Sequence, residues 1–278
     1  MPGFLPHSIA SLLYAALAYI FWRANWTRRG AAHQPTSAWL TYARYAVMLP
    51  LALHAWLLIA HAWGEATLTI GIGTALSGIV WLALLIYALS SLRHPVDALQ
   101  AVILPVAAIA VLLPLGIPDK PVALAPSPLF LAHIAVAFLA YALFTIAALH
   151  AGTMALLEKR LHDHSHATDL PKLPPLLTLE RLLFRIIAIG FILLTLALLS
   201  GMLFSEQLFG KPFSFGHFTQ HKTVFAILSW IIYAGLLLGR QIYGWRGRTA
   251  IWWSLTGFAM LVLAYIGSKI VLGLLLGR

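Results

Sequence analysis

Eight long runs of apolar residues, separated by short polar segments, divide this chain of 278 residues. A helix needs about 20 apolar residues to cross the hydrocarbon core of a bilayer. Because lipid offers no partners to exposed backbone groups, each run is predicted to be an α-helix. The pattern predicts an all-α, polytopic membrane bundle with eight transmembrane helices, forming a single integral-membrane domain over residues 1–278. The runs cover approximately residues 5–22, 40–62, 69–91, 97–116, 128–156, 182–204, 222–243 and 250–275.

The composition supports this class of protein. Hydrophobic residues make up 61% of the chain and charged residues only 9%, far from the averages of soluble domains. The first run begins within the residues MPGFLPHS, which carry no positive charge, and no small-residue cleavage site comes after it. We therefore expect it to be a retained span and not a cleaved signal peptide.

The distribution of positive charge predicts the orientation. Thirteen of the eighteen lysines and arginines lie in the segments that follow odd-numbered spans or at the span ends beside these segments. By the positive-inside rule these segments face the cytoplasm, so both termini are predicted on the outer, periplasmic side of a bacterial inner membrane. The net charge of +10 then reflects this rule and contact with lipid headgroups, and it gives no reason to expect a nucleic-acid partner.

Several kinds of chemistry have no support in the sequence. The chain has no cysteine, so its own residues form no disulfide and hold no iron–sulfur cluster. It also lacks a phosphate-binding glycine loop, a HExxH motif, a GxSxG motif and a pair of carboxylates within a span. No catalytic residues are predicted, and we do not expect an enzyme.

Three polar segments lie on the predicted inner side. The histidines of HDHSH, residues 162–166, either share a metal ion or belong to a solvated loop. The segment PPLLTLE, residues 174–180, has the prolines and polar residues typical of a helix start and predicts the beginning of the sixth helix. The segment GWRGR, residues 244–248, combines positive charge with tryptophan, as ordinary interfacial anchors do.

Histidines within or beside the spans are the most informative residues. His54 and His133 lie inside apolar runs, and His221 lies where the seventh run begins. Polar side chains in hydrocarbon usually face the bundle interior and serve a function. With the predicted orientation these three residues, together with His61 and His217, collect in the outer leaflet, whereas His150 lies on the inner side.

These histidines can play several roles. A histidine in a span can simply join two helices by a hydrogen bond. Neutral imidazole is also a ligand for zinc, copper, nickel and iron, and imidazoles with aromatic and apolar neighbours suit haem. Lys269, near the outer end of the last span, either extends to the headgroups or pairs with an anion such as a haem propionate.

Four segments of the sequence are similar to a known family. They are AHIAVAFLAYALFTIAALHAG around His133, LPPLLTLERLLFRI, HKTVFAILSWIIYAGLLLGRQIYGWRGR from His221, and LAYIGSKIV. Their order and spacing resemble the CcsA/CcmC-type cytochrome c assembly family of haem-handling membrane proteins, in particular a YpjD-like branch with eight spans. The resemblance covers residues from about 40 to 278.

The resemblance implies haem as a cofactor, bound by histidines near the outer ends of spans. It singles out His133 as an iron ligand, with His54 next. The family's tryptophan-rich outer loop is replaced here by FGKPFSFGHFTQHK, which has phenylalanines instead, and the second outer histidine expected near the end of the domain is missing. His217 or His221 is the candidate substitute, phenylalanines of residues 205–221 would cover the haem edge, and Lys269 would meet a propionate.

Two other functions stay open at this point. One is an accessory or transport subunit for metal-ion homeostasis that uses the same histidines for packing or for a transition metal. The other is a regulator of haem biosynthesis that contacts a cytoplasmic enzyme through the loop of residues 158–180. The expected partners are membrane lipid, haem, and other membrane assembly or metal-homeostasis proteins.

Overall fold

The computed structural model describes residues 3–25, 37–62, 69–92, 97–116, 127–162, 176–203 and 221–267. Nearly all of these residues are helical, as the apolar runs predict. The α-helices are α1 (Phe4–Asn25), α2 (Ser37–Ala46), α3 (Met48–Ala62), α4 (Ile72–Ser91), α5 (Asp97–Ala110), α6 (Leu113–Gly116), α7 (Pro128–His162), α8 (Leu176–Leu203), α9 (His221–Tyr243) and α10 (Arg248–Val262), followed by a π-helical turn, Leu263–Gly267.

Seven segments among these residues are long and apolar enough to cross a membrane. They correspond to the first seven predicted spans, which confirms a polytopic helical bundle. The eighth predicted run begins with α10 and the π-helical turn and continues into residues beyond the described part of the chain. The predicted sidedness of the termini stays a prediction.

Two of the spans consist of two helices each. Between α2 and α3 the backbone keeps its helical hydrogen bonds, since the amide of Val47 donates to Ala43 and its carbonyl accepts from Leu51, both at 3.2 Å. Between α5 and α6 the helix is interrupted, because Pro114 has no N–H to donate to the preceding turn. The corresponding spans are Trp39–Ala62 and Ala98–Gly116.

The chain divides into two compact units. The first contains residues 1–122 and 156–175, and the second contains residues 123–155 and 176–278. In the first unit the Ser11 hydroxyl of α1 donates to the Ala108 carbonyl of α5 at 2.8 Å. α4 and α6 approach closely, since a Cβ atom on Gly73 would lie 2.7 Å from the Leu113 carbonyl oxygen.

The second unit is built from α7 to α10 with small and aromatic residues at the helix contacts. Phe144 of α7 stacks on Tyr233 of α9 with ring centroids 4.0 Å apart. α10 presents Gly257 to the same tyrosine, where a Cβ atom would lie 2.8 Å from the ring. The Ser229 hydroxyl donates to the Gly257 carbonyl at 2.8 Å. Small residues of this kind let membrane helices approach closely and exchange hydrogen bonds.

Large apolar side chains on the outer faces of the helices remain exposed, which suits contact with lipid. Examples are Leu12 of α1, Ile59 of α3, Ile192 of α8 and Trp252 of α10, each with more than half of its surface accessible. In water such a surface would favour association, whereas in a bilayer it contacts acyl chains.

Candidate functional site

α1 and α3 pack as an antiparallel pair with polar residues along their shared face. The rings of His7 and His61 lie 5.1 Å apart, and two turns further along α1 the Tyr14 ring lies 5.8 Å from that of His54. His7 and His54 are 1% exposed and His61 is 6% exposed. His54 and His61 therefore lie on a common face of α3, and this face points to α1.

His54 joins three helices of the first unit. Its Nδ1 atom lies 3.3 Å from the Tyr14 hydroxyl of α1, and its Nε2 atom lies 2.8 Å from the Ser77 hydroxyl of α4. Both ring nitrogens thus have side-chain partners, so coordination of an iron by His54 requires the loss of one of these bonds.

His7 is a buried polar residue that the analysis of the sequence missed. Its Nδ1 atom lies 3.1 Å from the Gly3 carbonyl oxygen, and within the described residues its buried Nε2 atom has no hydrogen-bond partner. The available signal was its spacing, because His7 precedes Tyr14 by two helical turns and so lies on the same face of α1.

His133 of α7 is half-buried and hydrogen bonded to α8. Its Nδ1 atom lies 2.8 Å from the Ser200 hydroxyl oxygen, and that hydroxyl donates its single hydrogen to the Ala197 carbonyl at 3.1 Å. With its hydrogen on the Ala197 carbonyl, the Ser200 hydroxyl accepts from the Nδ1–H of His133. This leaves Nε2 as the nitrogen that carries the lone pair, which is the arrangement of a metal-ligating histidine whose other nitrogen is held by a neighbour.

The register of α8 against α9 sets the level of the start of α9 relative to His133. The Trp230 indole donates to the Thr195 hydroxyl at 2.8 Å, and the Trp230 ring stacks on Phe191 at 5.3 Å. The two helices run antiparallel, so Ser200 is level with a position about five residues before Trp230. His221, the first residue of α9, is then about one helical turn, or roughly 5 Å, from the level of His133.

The opposite end of α8 carries a buried ion pair. Glu180, 6% exposed, accepts a hydrogen bond from Arg240 of α9, and the Gly247 amide lies 3.4 Å from its second oxygen. Arg240 also donates to the Trp245 carbonyl at 3.2 Å, and Trp245 packs on Trp253 at 4.8 Å. The GWRGR segment is therefore fixed to α8 by Glu180, which is more than the predicted interfacial anchor.

The remaining predicted site residues fall partly outside the described structure. His217, Lys269 and the phenylalanines of residues 205–220 lie outside the described ranges, and for His221 only the helix start is described. Most of the histidine segment 162–166 also lies outside the described ranges. His150 is buried, with Nδ1 3.0 Å from the Ile146 carbonyl oxygen.

The described residues hold no group of three or more histidines or carboxylates that could bind a metal ion. Haem binding needs fewer ligating side chains, since one or two axial side chains hold its iron. Among the predicted ligands, His133 fits this role through its orientation by Ser200, whereas His54 already has partners on both nitrogens. The chain's own chemistry at these sites consists of imidazole lone pairs in apolar surroundings.

Comparison with known proteins identifies a family that the chain matches. Residues 43–276 match the model of a family described as Cytochrome C assembly protein. The Inner membrane protein YpjD of Escherichia coli (strain K12) is 37% identical over 145 residues, which is 52% of either chain. The Cytochrome c biogenesis protein CcsA of Rippkaea orientalis (strain PCC 8801 / RF-1) is 29% identical over 117 residues, 40% of this chain and 33% of that protein.

A second cyanobacterial relative, the Cytochrome c biogenesis protein CcsA of Synechococcus sp. (strain RCC307), is 31% identical over 93 residues, 34% of this chain and 29% of that protein. The chain thus spans about half the length of the curated relatives it matches, or less. The family match, in contrast, covers most of the chain and confirms the resemblance noted above. The chain belongs to the cytochrome c assembly family and is a multi-pass protein of the inner membrane.

Proposed function

We propose that this protein handles haem during cytochrome c assembly and holds it with His133 as an axial iron ligand. The observation that carries the proposal is the hydrogen bond from His133 to Ser200. It fixes the imidazole tautomer and directs the lone pair to Nε2, because Ser200 gives its own hydrogen to Ala197. Such an outer partner orients a ligating histidine and raises its basicity.

His221 is the proposed second axial ligand. The antiparallel register of α8 and α9, set by the Trp230 bond to Thr195, supports a position for His221 about one turn from the level of His133. His54 is the weaker candidate because Tyr14 and Ser77 already occupy both of its ring nitrogens. His217 would replace His221 if the latter's side chain turned away.

The residues around His133 would have separate roles in haem binding. Haem iron, when bound, would supply the redox-active and carrier chemistry of the site. His133 would bind it and Ser200 would orient His133. Gly201 keeps one side of the imidazole open, since a Cβ atom there would lie 3.5 Å from the His133 Cε1 atom. The phenylalanines of residues 205–221 would cover the haem edge, and Lys269 would meet a propionate in the outer leaflet.

The visible spectrum of the protein tests this function. The full chain, purified in detergent from haem-replete cells, is expected to show a Soret band, or to acquire one at one equivalent of added haem. A preparation that stays colourless and gives no Soret shift after haem is added would overturn the proposal. In that case metal analysis, together with the metal sensitivity of a deletion strain, would address the metal-homeostasis alternative. Deletion of residues 162–166 would address the regulator alternative.

A further inference from the structure

A second buried site lies between α1 and α3 in the first unit. The ring centroids of His7 and His61 lie 5.1 Å apart, with the ring planes inclined by 43°. Both side chains are almost fully buried. His7 lies outside residues 43–276, which match the family, so the pair is not explained by the family's shared region.

The hydrogen bond of His7 determines which nitrogen is available. A carbonyl oxygen only accepts, so the Nδ1 atom, 3.1 Å from the Gly3 carbonyl oxygen, carries the hydrogen. Nε2 then holds a lone pair. That atom is buried and, among the described residues, has no hydrogen-bond partner. An unsatisfied buried acceptor is unfavourable.

The spacing of the two rings fits a shared metal ion. A late first-row metal binds imidazole nitrogen at about 2.0–2.1 Å, which puts each ring centroid roughly 3.2 Å from the ion. At the angle of about 110–120° that two imidazoles take when a third, exchangeable ligand completes the site, the two centroids are about 5.2–5.5 Å apart, close to the 5.1 Å observed. We propose that His7 and His61 form a two-histidine site for a late first-row transition-metal ion.

The charge of the surroundings selects among such ions. Neither α1 nor α3 contains an aspartate or a glutamate, so the two helices themselves present neutral imidazoles to the ion. The cost of burying an ion rises with the square of its charge, so the site favours monovalent Cu⁺ over divalent Zn²⁺. Structural metal sites use four protein ligands. A site with two holds its ion for exchange and does not hold the fold together.

The C-terminal end of α3 is built to keep His61 in place. The Thr69 hydroxyl donates to the His61 carbonyl at 2.8 Å, and the Thr69 amide donates to the Ala62 carbonyl at 2.9 Å. These bonds satisfy carbonyls that the end of a helix leaves without partners. The backbone beneath the ring is therefore ordered before any ion arrives.

Anaerobic titration with Cu⁺ against a chromogenic chelator tests the site on the full chain in detergent. His162, His164 and His166 are replaced by alanine in every sample, so that the loop does not contribute ligands. This background protein is expected to bind one more equivalent of Cu⁺ than its His7→Phe or His61→Phe derivative. His150→Phe, which also alters a buried histidine in a span, is the matched control and is expected to bind as the background protein does.

Equal Cu⁺ stoichiometry in the background protein and the His7→Phe variant would overturn the site. Tighter binding of Zn²⁺ than of Cu⁺ at the same two residues would overturn the choice of ion. Folding is checked by the thermal midpoint: Cu⁺ should raise it in the background protein and leave it unchanged in His7→Phe. The metal-free His7→Phe variant should melt close to the background value, because it loses an unsatisfied acceptor together with the bond to the Gly3 carbonyl. The His133→Ala variant should keep this Cu⁺ site, which separates the inference from the haem proposal.

Discussion

The Nδ1 atom of His133 lies 2.8 Å from the Ser200 hydroxyl oxygen, and this bond joins the first turns of α7 to the last turns of α8. Ser200 accepts in this bond while its own hydrogen goes to the Ala197 carbonyl. One serine thus sets both the orientation and the tautomer of the histidine that the family resemblance singles out. The haem proposal depends on this relationship more than on the number of histidines in the chain.

Replacement of Ser200 by alanine should weaken haem binding without unfolding the protein. Loss of an outer hydrogen bond to a metal-ligating histidine typically lowers affinity by about 10–100-fold, whereas a single hydrogen bond contributes only about 1 kcal/mol to stability. Haem titration of the Ser200→Ala variant measures the first effect. Thr153→Ala is the control, since it removes a hydroxyl bond, to the Leu149 carbonyl at 2.8 Å, about 30 Å along α7 from His133. Equal affinity in the Ser200→Ala variant and the wild type would show that this serine does not orient a ligand.

His54 is expected to stabilise the first unit and not to hold haem. Tyr14→Phe and Ser77→Ala each remove one partner of its ring, and hydrogen bonds between membrane helices contribute about 1 kcal/mol. Each variant should melt slightly earlier in detergent and keep the wild-type haem content and spectrum. A loss of haem from His54→Ala, with the protein still folded, would instead support the His133–His54 pair.

The Glu180–Arg240 ion pair should contribute to stability at the end of α8 far from His133. Glu180 and Ser200 are 20 residues apart on one helix, which is about 30 Å. Breaking a buried pair by removing one partner destabilises by on the order of 3 kcal/mol, so Glu180→Ala should lower the thermal midpoint markedly. The haem spectrum should not change.

A double-mutant cycle separates the pair from its surroundings. Glu180→Ala combined with Arg240→Ala should destabilise by less than the sum of the single variants, because neither charge is then left buried alone. Strict additivity would mean that the two side chains act independently despite their contact.

Gly73 should be intolerant of even a methyl group. A Cβ atom there would meet the backbone of α6, 2.7 Å from the Leu113 carbonyl oxygen, and backbone cannot rotate away as a side chain can. Overpacking of this kind typically destabilises by about 1–3 kcal/mol. Gly152→Ala is the control: nothing lies within 4 Å of its Cβ position, and alanine favours a helix by up to about 1 kcal/mol. Similar thermal midpoints for the two variants would contradict the close approach of α4 and α6.

The helices were predictable from the sequence because hydrophobic length alone decides whether a segment spans a bilayer. The prolines of residues 174–175 also indicated where α8 begins. The contacts between helices were not predictable, since hydrophobic periodicity defines a face of a helix but not the helix that packs against it. His7 and Glu180 show the difference. His7 lies near the start of α1, and Glu180 lies beside a polar loop. Their partners follow only from the register of α1 with α3 and of α8 with α9.

The identity of the iron ligand is the central claim, and the haem content of His133→Ala tests it most directly. His150→Ala, which removes another buried histidine from the same helix, is the matched control. Both proteins are purified from haem-replete cells, and the reduced α-band is measured per mole of folded protein. We expect the band to be lost or shifted in His133→Ala and unchanged in His150→Ala. A reduced α-band of wild-type position and intensity in folded His133→Ala would contradict the assignment.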